Sequence, residues 1–355
     1  KKMVKSKSML TEECGMNPFL EQNGIDVVET DLGERILQLL HQKPSHIVMP
    51  AIHLKREEVG RMFEEKGISR EIGNYDPTYL TRCARMHLRN QFMEAGAGMT
   101  GCNFGVAESG DIVVCTNEGN ADMSTSMPKL HLVAMGIEKI VPDYKSLAVF
   151  QRLLCRSATG QPTTAYTSHF RQARPGAEMH VILVDNGRSD ILADNEHWET
   201  LKCIRCGSCM NTCPVYRRSG GYSYTYFIPG PIGVNLGMLR DARRYSDNVS
   251  ACTLCLSCDN VCPSKVGPGS QIYLWRQKLD SLHRADPMKK FMSMGMEALF
   301  EHPHLYAAAL RLAPLANIVP DKITRVRGVN PWSVGHTKPE FAKESFQDMW
   351  KKGKV

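Results

Sequence analysis

Two stretches govern how this chain reads. They are Cys203-Ile204-Arg205-Cys206-Gly207-Ser208-Cys209-Met210-Asn211-Thr212-Cys213-Pro214 and Cys252-Thr253-Leu254-Cys255-Leu256-Ser257-Cys258-Asp259-Asn260-Val261-Cys262-Pro263. Both follow the spacing C-x2-C-x2-C-x3-C-P, and together they hold eight of the thirteen cysteines. Three thiolates in so tight a loop wrap one side of a cubane and bring backbone N–H groups towards its sulfurs. The fourth comes from elsewhere, and in two-cluster ferredoxins the last cysteine of each run ligates the other cluster. The runs therefore predict two [4Fe–4S] clusters. Cys203, Cys206, Cys209 and Cys262 hold one; Cys252, Cys255, Cys258 and Cys213 hold the other. Pro214 and Pro263 turn the chain away after each run.

Two other chemistries compete for these cysteines. Zinc ribbons use C-x2-C pairs, but a third cysteine two residues on and a fourth before proline is not their pattern. Disulfides suit small secreted chains. This chain has 355 residues, an odd number of cysteines and no secretory leader pattern. Cys14, Cys83, Cys102, Cys115 and Cys155 are scattered and read as small buried apolar residues.

Length implies two domains or three. A hydrophobic fraction of 42% and a charged fraction of 23% are ordinary for globular protein. No apolar run reaches the length of a membrane span, and the nearest, His304 to Pro320, is broken by Arg311 and Pro314. The formal net charge is +7 with cysteines counted as neutral. Each oxidised cluster with its four thiolates carries roughly −2, so two would leave about +3. The basic excess then compensates cofactors and is not a nucleic-acid footprint. Arg205, Arg217, Arg218, Arg240, Arg243 and Arg244 surround the runs; a solvated basic face accounts for any one of them equally well.

Residues 1–195 read as alternating strands and helices. The chain opens at Lys1, and Val4 looks like the end of a strand whose earlier half is missing. A helix from Thr11 or Glu12 to Asn23, a strand at Ile25–Glu29 and an amphipathic helix at Leu32–Gln42 follow. A strand at His46–Ala51 and helices at Arg56–Lys66 and Asp76–Ala95 come next. Asn103–Ala107 and Ile112–Thr116 flank Glu108-Ser109-Gly110-Asp111 as a hairpin. Leu130–Ala134, a helix at Pro142–Cys155 and a strand at Met179–Val184 complete the region. Such alternation implies a mostly parallel sheet covered by helices, with the hairpin adding antiparallel strands at one side. Residues 196–270 read as the cluster domain, of the helical ferredoxin type because Arg217–Ser250 is long and contains a helix from Gly230 to Arg244. Residues 271–355 read as a helical extension. Met292, Met294 and Met296 fit an adaptable core there, or a flexible partner-binding surface.

Gly96-Ala97-Gly98-Met99-Thr100-Gly101 matches G-x-G-x-x-G. A dinucleotide site needs a strand before it and a helix after it. Here the order is reversed, and a joint between helix and sheet explains the glycines better. Ligands of open α/β sheets bind beyond the carboxyl ends of the strands. That rule singles out Lys5, Ser6, Lys7, Ser8, Asp31, Glu108, Asn117 and Asn120 as candidates for binding a small carboxylic acid. His53 and Glu118 are the candidate bases. Each of these also fits a cap, a turn or a solvated charge.

Several segments bring a family into view. They are Val4-Lys5-Ser6-Lys7-Ser8-Met9, Val27 to Glu34, Pro44 to Val48 with Pro50-Ala51-Ile52-His53, and Thr100 to Phe104. Thr116 to Asn120, Val184 to Ser189, Leu201 to Gly207 and Tyr226 to Gly233 extend the match almost to Val266. The chain resembles lactate utilization protein B, the iron–sulfur subunit of a three-component L-lactate utilization complex. The resemblance implies an N-terminal lactate-utilization domain, similar to the sugar-phosphate isomerase and CoA-transferase α/β type, then a two-cluster ferredoxin domain. Family members extend further at the N-terminus, so this domain is expected to be N-terminally truncated. It also implies oxidation of L-lactate, a small 2-hydroxy acid, to pyruvate. The implied partners are a cysteine-rich subunit and a second lactate-utilization subunit.

A cluster takes one electron per step, and hydride chemistry belongs to flavin or nicotinamide, for which no fingerprint is seen. The chain then reads mainly as an electron relay, cytoplasmic, reaching a membrane through partners only. A relay for another dehydrogenase or a heterodisulfide-type system, and a scaffold with structural clusters, are the alternatives.

Overall fold

The computed structural model describes residues 1–279, 281–282, 287–320 and 339–355. Residues 1–282 form one compact unit and residues 283–355 a second.

The first unit is built on two sheets. Strands β1 (Lys2–Lys5), β2 (Asp26–Glu29), β3 (Ala97–Gly101), β6 (Leu130–Gly136) and β9 (Glu178–Val184) form a five-stranded sheet ordered β2-β1-β3-β6-β9. Every pairing in it is parallel. Strands β4 (Phe104–Val106), β5 (Asp111–Thr116), β7 (Ile140–Val141) and β8 (Tyr166–Phe170) form a separate four-stranded sheet ordered β7-β4-β5-β8. The expected hairpin is there, with β4 antiparallel to β5. It nucleates its own sheet and does not extend the parallel one.

Period-two alternation sends successive side chains of β1 and β2 to opposite faces. Met3 and Val27 pack with Leu20 and Met99 on one face; Val4 and Val28 pack with Leu88 and Phe92 on the other. Helices α1 (Met9–Glu13) and α2 (Met16–Gln22) replace the single helix expected from Thr11 to Asn23. Gly15, at φ 62°, breaks it, and the bend lets α2 turn onto the sheet. Helices α3 (Leu32–Leu40), α4 (Arg56–Glu65) and α5 (Pro77–Glu94) share a core of Ile36, Met62, Phe63, Leu80 and Ala84. Asp76 caps α5 by accepting from the Tyr79 N–H at 3.0 Å, with Pro77 opening the helix.

All of the glycine-rich match but Gly96 lies inside β3; Gly96 sits between α5 and the strand. A Cβ on Gly98 would meet the Ser124 carbonyl oxygen at 1.7 Å, because α6 (Asn120–Ser126) packs directly on that strand. Close packing demands glycine there.

The segment expected as a strand from His46 to Ala51 is a strap. The His46 Nδ1 accepts from the Val48 and Met49 N–H groups at 3.0 Å each, which curls the backbone away from any ladder. Ile47 is buried in the cluster-region core, and the Tyr216 hydroxyl donates to the Ser45 carbonyl at 2.7 Å. Tertiary contacts outweigh the apolar run.

Helix α7 (Tyr144–Thr159) covers the second sheet, and α8 (Arg188–Ala193) follows β9. Ile204 and Cys206 pack into the same core as Phe104, Val113, Leu147 and Leu154. The first cysteine run is therefore anchored against the second sheet. Around the runs lie α9 (Ser208–Thr212), α10 (Pro214–Ser219), α11 (Gly230–Tyr245), α12 (Asp247–Ala251), α13 (Ser257–Asn260) and α14 (Pro268–Lys278).

In the second unit, α15 (Pro287–Glu301) and α16 (Pro303–Leu312) are linked by an edge-on Phe300–Tyr306 contact. Helix α17 (Phe346–Lys351) is tied to α16 through Arg311 and Asp348 at 3.1 Å. Met292, Met294 and Met296 are exposed on α15, so they are not core. Parts of the expected 271–355 extension lie outside the described residues. Among the described residues, no helix is long and apolar enough to cross a membrane.

Candidate functional site

The two cysteine runs repeat in conformation as well as sequence. Arg205 and its counterpart Leu254 have φ 61° and 53°; Gly207 and Leu256 have φ 81° and 58°. Left-handed backbone costs a non-glycine residue roughly 1–2 kcal/mol. The second run accepts this twice, which points to a loop shape that its four sulfurs require. Each loop then enters a short helix, α9 or α13, at Ser208 or Ser257. The Cys206 and Cys255 sulfurs each lie 3.6 Å from that serine hydroxyl.

Backbone N–H groups turn to the sulfurs, as cluster thiolates need. Leu254 N–H points at Cys252 Sγ (3.4 Å), Tyr216 N–H at Cys213 Sγ (3.5 Å) and Val266 N–H at Cys262 Sγ (3.3 Å). None of the thirteen cysteines is paired in a disulfide. Among the described residues, no three donors meet at the spacing of one metal ion. The repeated left-handed loops and the N–H groups turned to sulfur fit an iron–sulfur cluster.

Electrostatic neighbours cross between the runs. Burial raises the Cys206 thiol, and Cys203 and Cys262 add to it. Burial pushes Cys258 up to about 12, with Asp259, Cys252 and Cys213 adding. Cys252 is raised by burial and then by Cys213 and Cys255. Cys255 is exposed, and Ser257 holds its pKa down.

A cavity of about 340 Å³ opens beyond the carboxyl ends of β1, β3 and β6. Ser6, Lys7, Ser8, Asp31, Asn117, Glu118 and Asn120 line it, so seven of the sequence candidates converge. Burial lowers the Lys7 pKa against the opposing field of Asp31, Glu34, Glu118 and Glu29, and its Nζ donates to the Val48 carbonyl at 2.6 Å. Burial and then Asp31 raise the Glu118 carboxyl.

Three candidates lie elsewhere. Lys5 is fully buried and holds Glu29 at 2.6 Å and Glu12 at 3.3 Å. Burial opposes its charge, but those acids outweigh it and the pKa is raised. His53 is exposed, bonded to Ser45 Oγ (2.7 Å), Gln42 Oε1 (3.0 Å) and the Tyr222 hydroxyl (2.9 Å). Glu108 accepts from the Tyr144 N–H at 3.0 Å, at the start of α7.

Other cavity residues escaped the sequence reading. They are Glu13, Glu138, Lys139, Arg188 and Arg205, with the thiols Cys102, Cys115 and Cys155. Glu138 and Lys139 follow β6 and Arg188 follows β9, so the strand-end rule, applied to those strands too, finds them. Of the five stray cysteines only Cys155 is buried, and Cys14 is exposed. Among the arginines near the runs, Arg217, Arg218, Arg240, Arg243 and Arg244 are exposed, whereas Arg205 is half-buried.

Residues 1–191 match the LUD domain, residues 199–266 the 4Fe-4S dicluster domain and residues 280–355 the C-terminal family of lactate utilisation protein B. The chain belongs to the lactate utilization protein B family. The family's protein from Bacillus cytotoxicus is 41% identical over 365 residues, covering 100% of this chain and 76% of the relative. That from Geobacillus thermodenitrificans is 42% identical, covering 99% and 76%. An uncharacterized electron transport protein of Escherichia coli is 39% identical over the same shares. No solved structure matches. The chain is thus an iron–sulfur protein of this family, an α/β region with a parallel sheet joined to a helical cluster region.

Proposed function

We propose that this chain is the iron–sulfur electron-carrying subunit of a complex that oxidises L-lactate to pyruvate. Cys203, Cys206, Cys209 and Cys262 are assigned to one [4Fe–4S] cluster, and Cys252, Cys255, Cys258 and Cys213 to the other. The observation that carries this is the repeat itself: both runs keep one spacing and turn left-handed at corresponding residues, Arg205 and Leu254, Gly207 and Leu256. When bound, such clusters supply one-electron transfer.

Lactate loses two electrons and two protons; the two clusters would carry the electrons onward one at a time, and the C–H bond is broken elsewhere in the complex. Ser6, Lys7, Ser8, Asp31, Asn117 and Asn120 are assigned to hold the 2-hydroxy acid. Glu118, at the exposed edge of the cavity, is assigned the hydroxyl proton, its raised pKa favouring proton uptake. His53 has three partners of its own and takes no part in this reading. Residues 1–195 act as the substrate-facing domain, of the sugar-phosphate isomerase and CoA-transferase type. Residues 196–270 carry the clusters and residues 271–355 form a helical extension. A cysteine-rich subunit and a second lactate-utilization subunit complete the assembly, and any membrane contact runs through them.

Anaerobic purification with iron and sulfide counting tests the assignment. About eight irons per chain are expected, with L-lactate bleaching the visible absorbance in the assembled complex. Zinc in place of iron would end the reading. Bleaching by another donor and not by lactate would leave a relay with a different substrate.

A further inference from the structure

Arg205 belongs to two places at once. It stands between Cys203 and Cys206 in the first run, and it lines the cavity. Resting on the function proposed above, we propose that Arg205 anchors the carboxylate of a small 2-hydroxy acid, so that one loop both carries a cluster and grips the substrate.

Four cations line the cavity: Lys7, Lys139, Arg188 and Arg205. Arg188 is fully engaged. Its Nη1 and Nη2 reach the two Glu13 oxygens at 3.0 Å each, and its Nε reaches Glu138 at 2.5 Å. Glu13 and Glu138 are thereby engaged too. Asp31 caps α3, accepting from the Glu34 N–H at 3.2 Å. Lys7 and Lys139 each donate to a backbone carbonyl, of Val48 and Cys203 respectively.

Arg205 is different. Its Nη1 is buried and has no hydrogen-bond partner among the described residues. A buried guanidinium N–H without an acceptor leaves its desolvation uncompensated. The acceptor is therefore a group the chain does not supply. A carboxylate is the natural one, because its two oxygens match the planar fork of donors. Ile204 is clamped in the second-sheet core, so the loop that presents Arg205 is rigid.

A second orphan lies in the same cavity. Asn120 is only 8% exposed, and its Oδ1 is buried without a partner. Both residues line the cavity, and each keeps one polar atom without a partner among the described residues. A 2-hydroxy acid carries the complementary groups, an anion and an O–H. A purely aliphatic ligand satisfies neither, and a cationic one cannot accept from Arg205.

The rival role for Arg205 is to offset the charge of the neighbouring cluster alone. The two roles separate experimentally. The full chain is purified anaerobically, its iron is counted, and its clusters are reduced beforehand so that no net turnover occurs. Calorimetric titration then compares L-lactate with lactamide, which has the same shape without the charge. Binding of lactate with at least about tenfold preference over lactamide is expected. Arg205→Gln should abolish that preference at unchanged iron content, and Arg205→Lys should restore part of it. Equal binding of lactate and lactamide by the unaltered chain overturns the anchor, and needs no variant. So does an Arg205→Gln chain that keeps its iron and binds lactate as before. No lactate binding by an iron-replete chain also overturns the anchor while leaving the relay intact, whereas absence of iron overturns the relay beneath it.

Discussion

The Lys139 ammonium donates to the Cys203 carbonyl at 2.9 Å, and Arg276 donates in the same way to the carbonyl of Cys252. Those cysteines open the two runs, so a cation from outside each run clamps the same point of both loops. Neither cation is near its run in sequence.

A fixed positive charge stabilises the more negative, reduced state of a nearby cluster. Lys139→Met should therefore lower the midpoint potential of the centre held by the first run, by on the order of 50 mV. Arg276→Gln should lower that of the second. An EPR-monitored redox titration resolves the two. Equal shifts of both centres by either change would contradict local clamping.

Crossed ligation makes a sharper prediction. Cys262→Ala should disturb the same spectral centre as Cys203→Ala, although the two cysteines belong to different runs. Cys213→Ala should disturb the other centre along with Cys258→Ala. Each loss should remove about four irons or leave a three-iron cluster. Iron counting with EPR line shape reads this directly; grouping by run would refute the crossing.

Glu34 gives the fold a pH dependence. Burial and then Glu29 raise its pKa to about 8 from an ordinary 4.5. Between those values the folded chain holds a proton that the unfolded chain releases. Its contribution is complete below about pH 4.5 and falls as pH rises through 8. Glu34→Gln should thus be more stable than the parent at pH 9, by on the order of 2 kcal/mol, with the gap closing towards pH 5. Urea unfolding at both pH values measures it.

Two glycine substitutions separate close packing from backbone conformation. Gly98→Ala puts a methyl 1.7 Å from the Ser124 carbonyl oxygen and should destabilise by about 3 kcal/mol. Gly110→Ala meets nothing within 4 Å but sits at φ 74°, so it should cost about 1 kcal/mol. Chemical denaturation of both variants ranks them, and a larger loss for Gly110→Ala would reverse the reasoning.

Cluster chemistry was readable because it is local. Four thiols within eleven residues constrain one another whatever the rest of the chain does, and the repeat 49 residues later carries the same spacing. Strands such as Asp26–Glu29 and helices such as Pro77–Glu94 were readable for the same reason, through alternation and an Asp–Pro start. The strap at residues 46–51 was not. Its apolar run suits a strand, but Ile47 gains more from the cluster-region core than from a ladder.

Spacing along the chain therefore settled the cofactor type and most of the secondary structure. Packing settled who reaches the cavity. It tied His53 to Tyr222 and Lys5 to Glu29. It also brought Lys139, Arg188 and Arg205 together from three separate stretches. Contacts between residues so distant depend on how whole sheets and helices stack, and no short window of sequence encodes that.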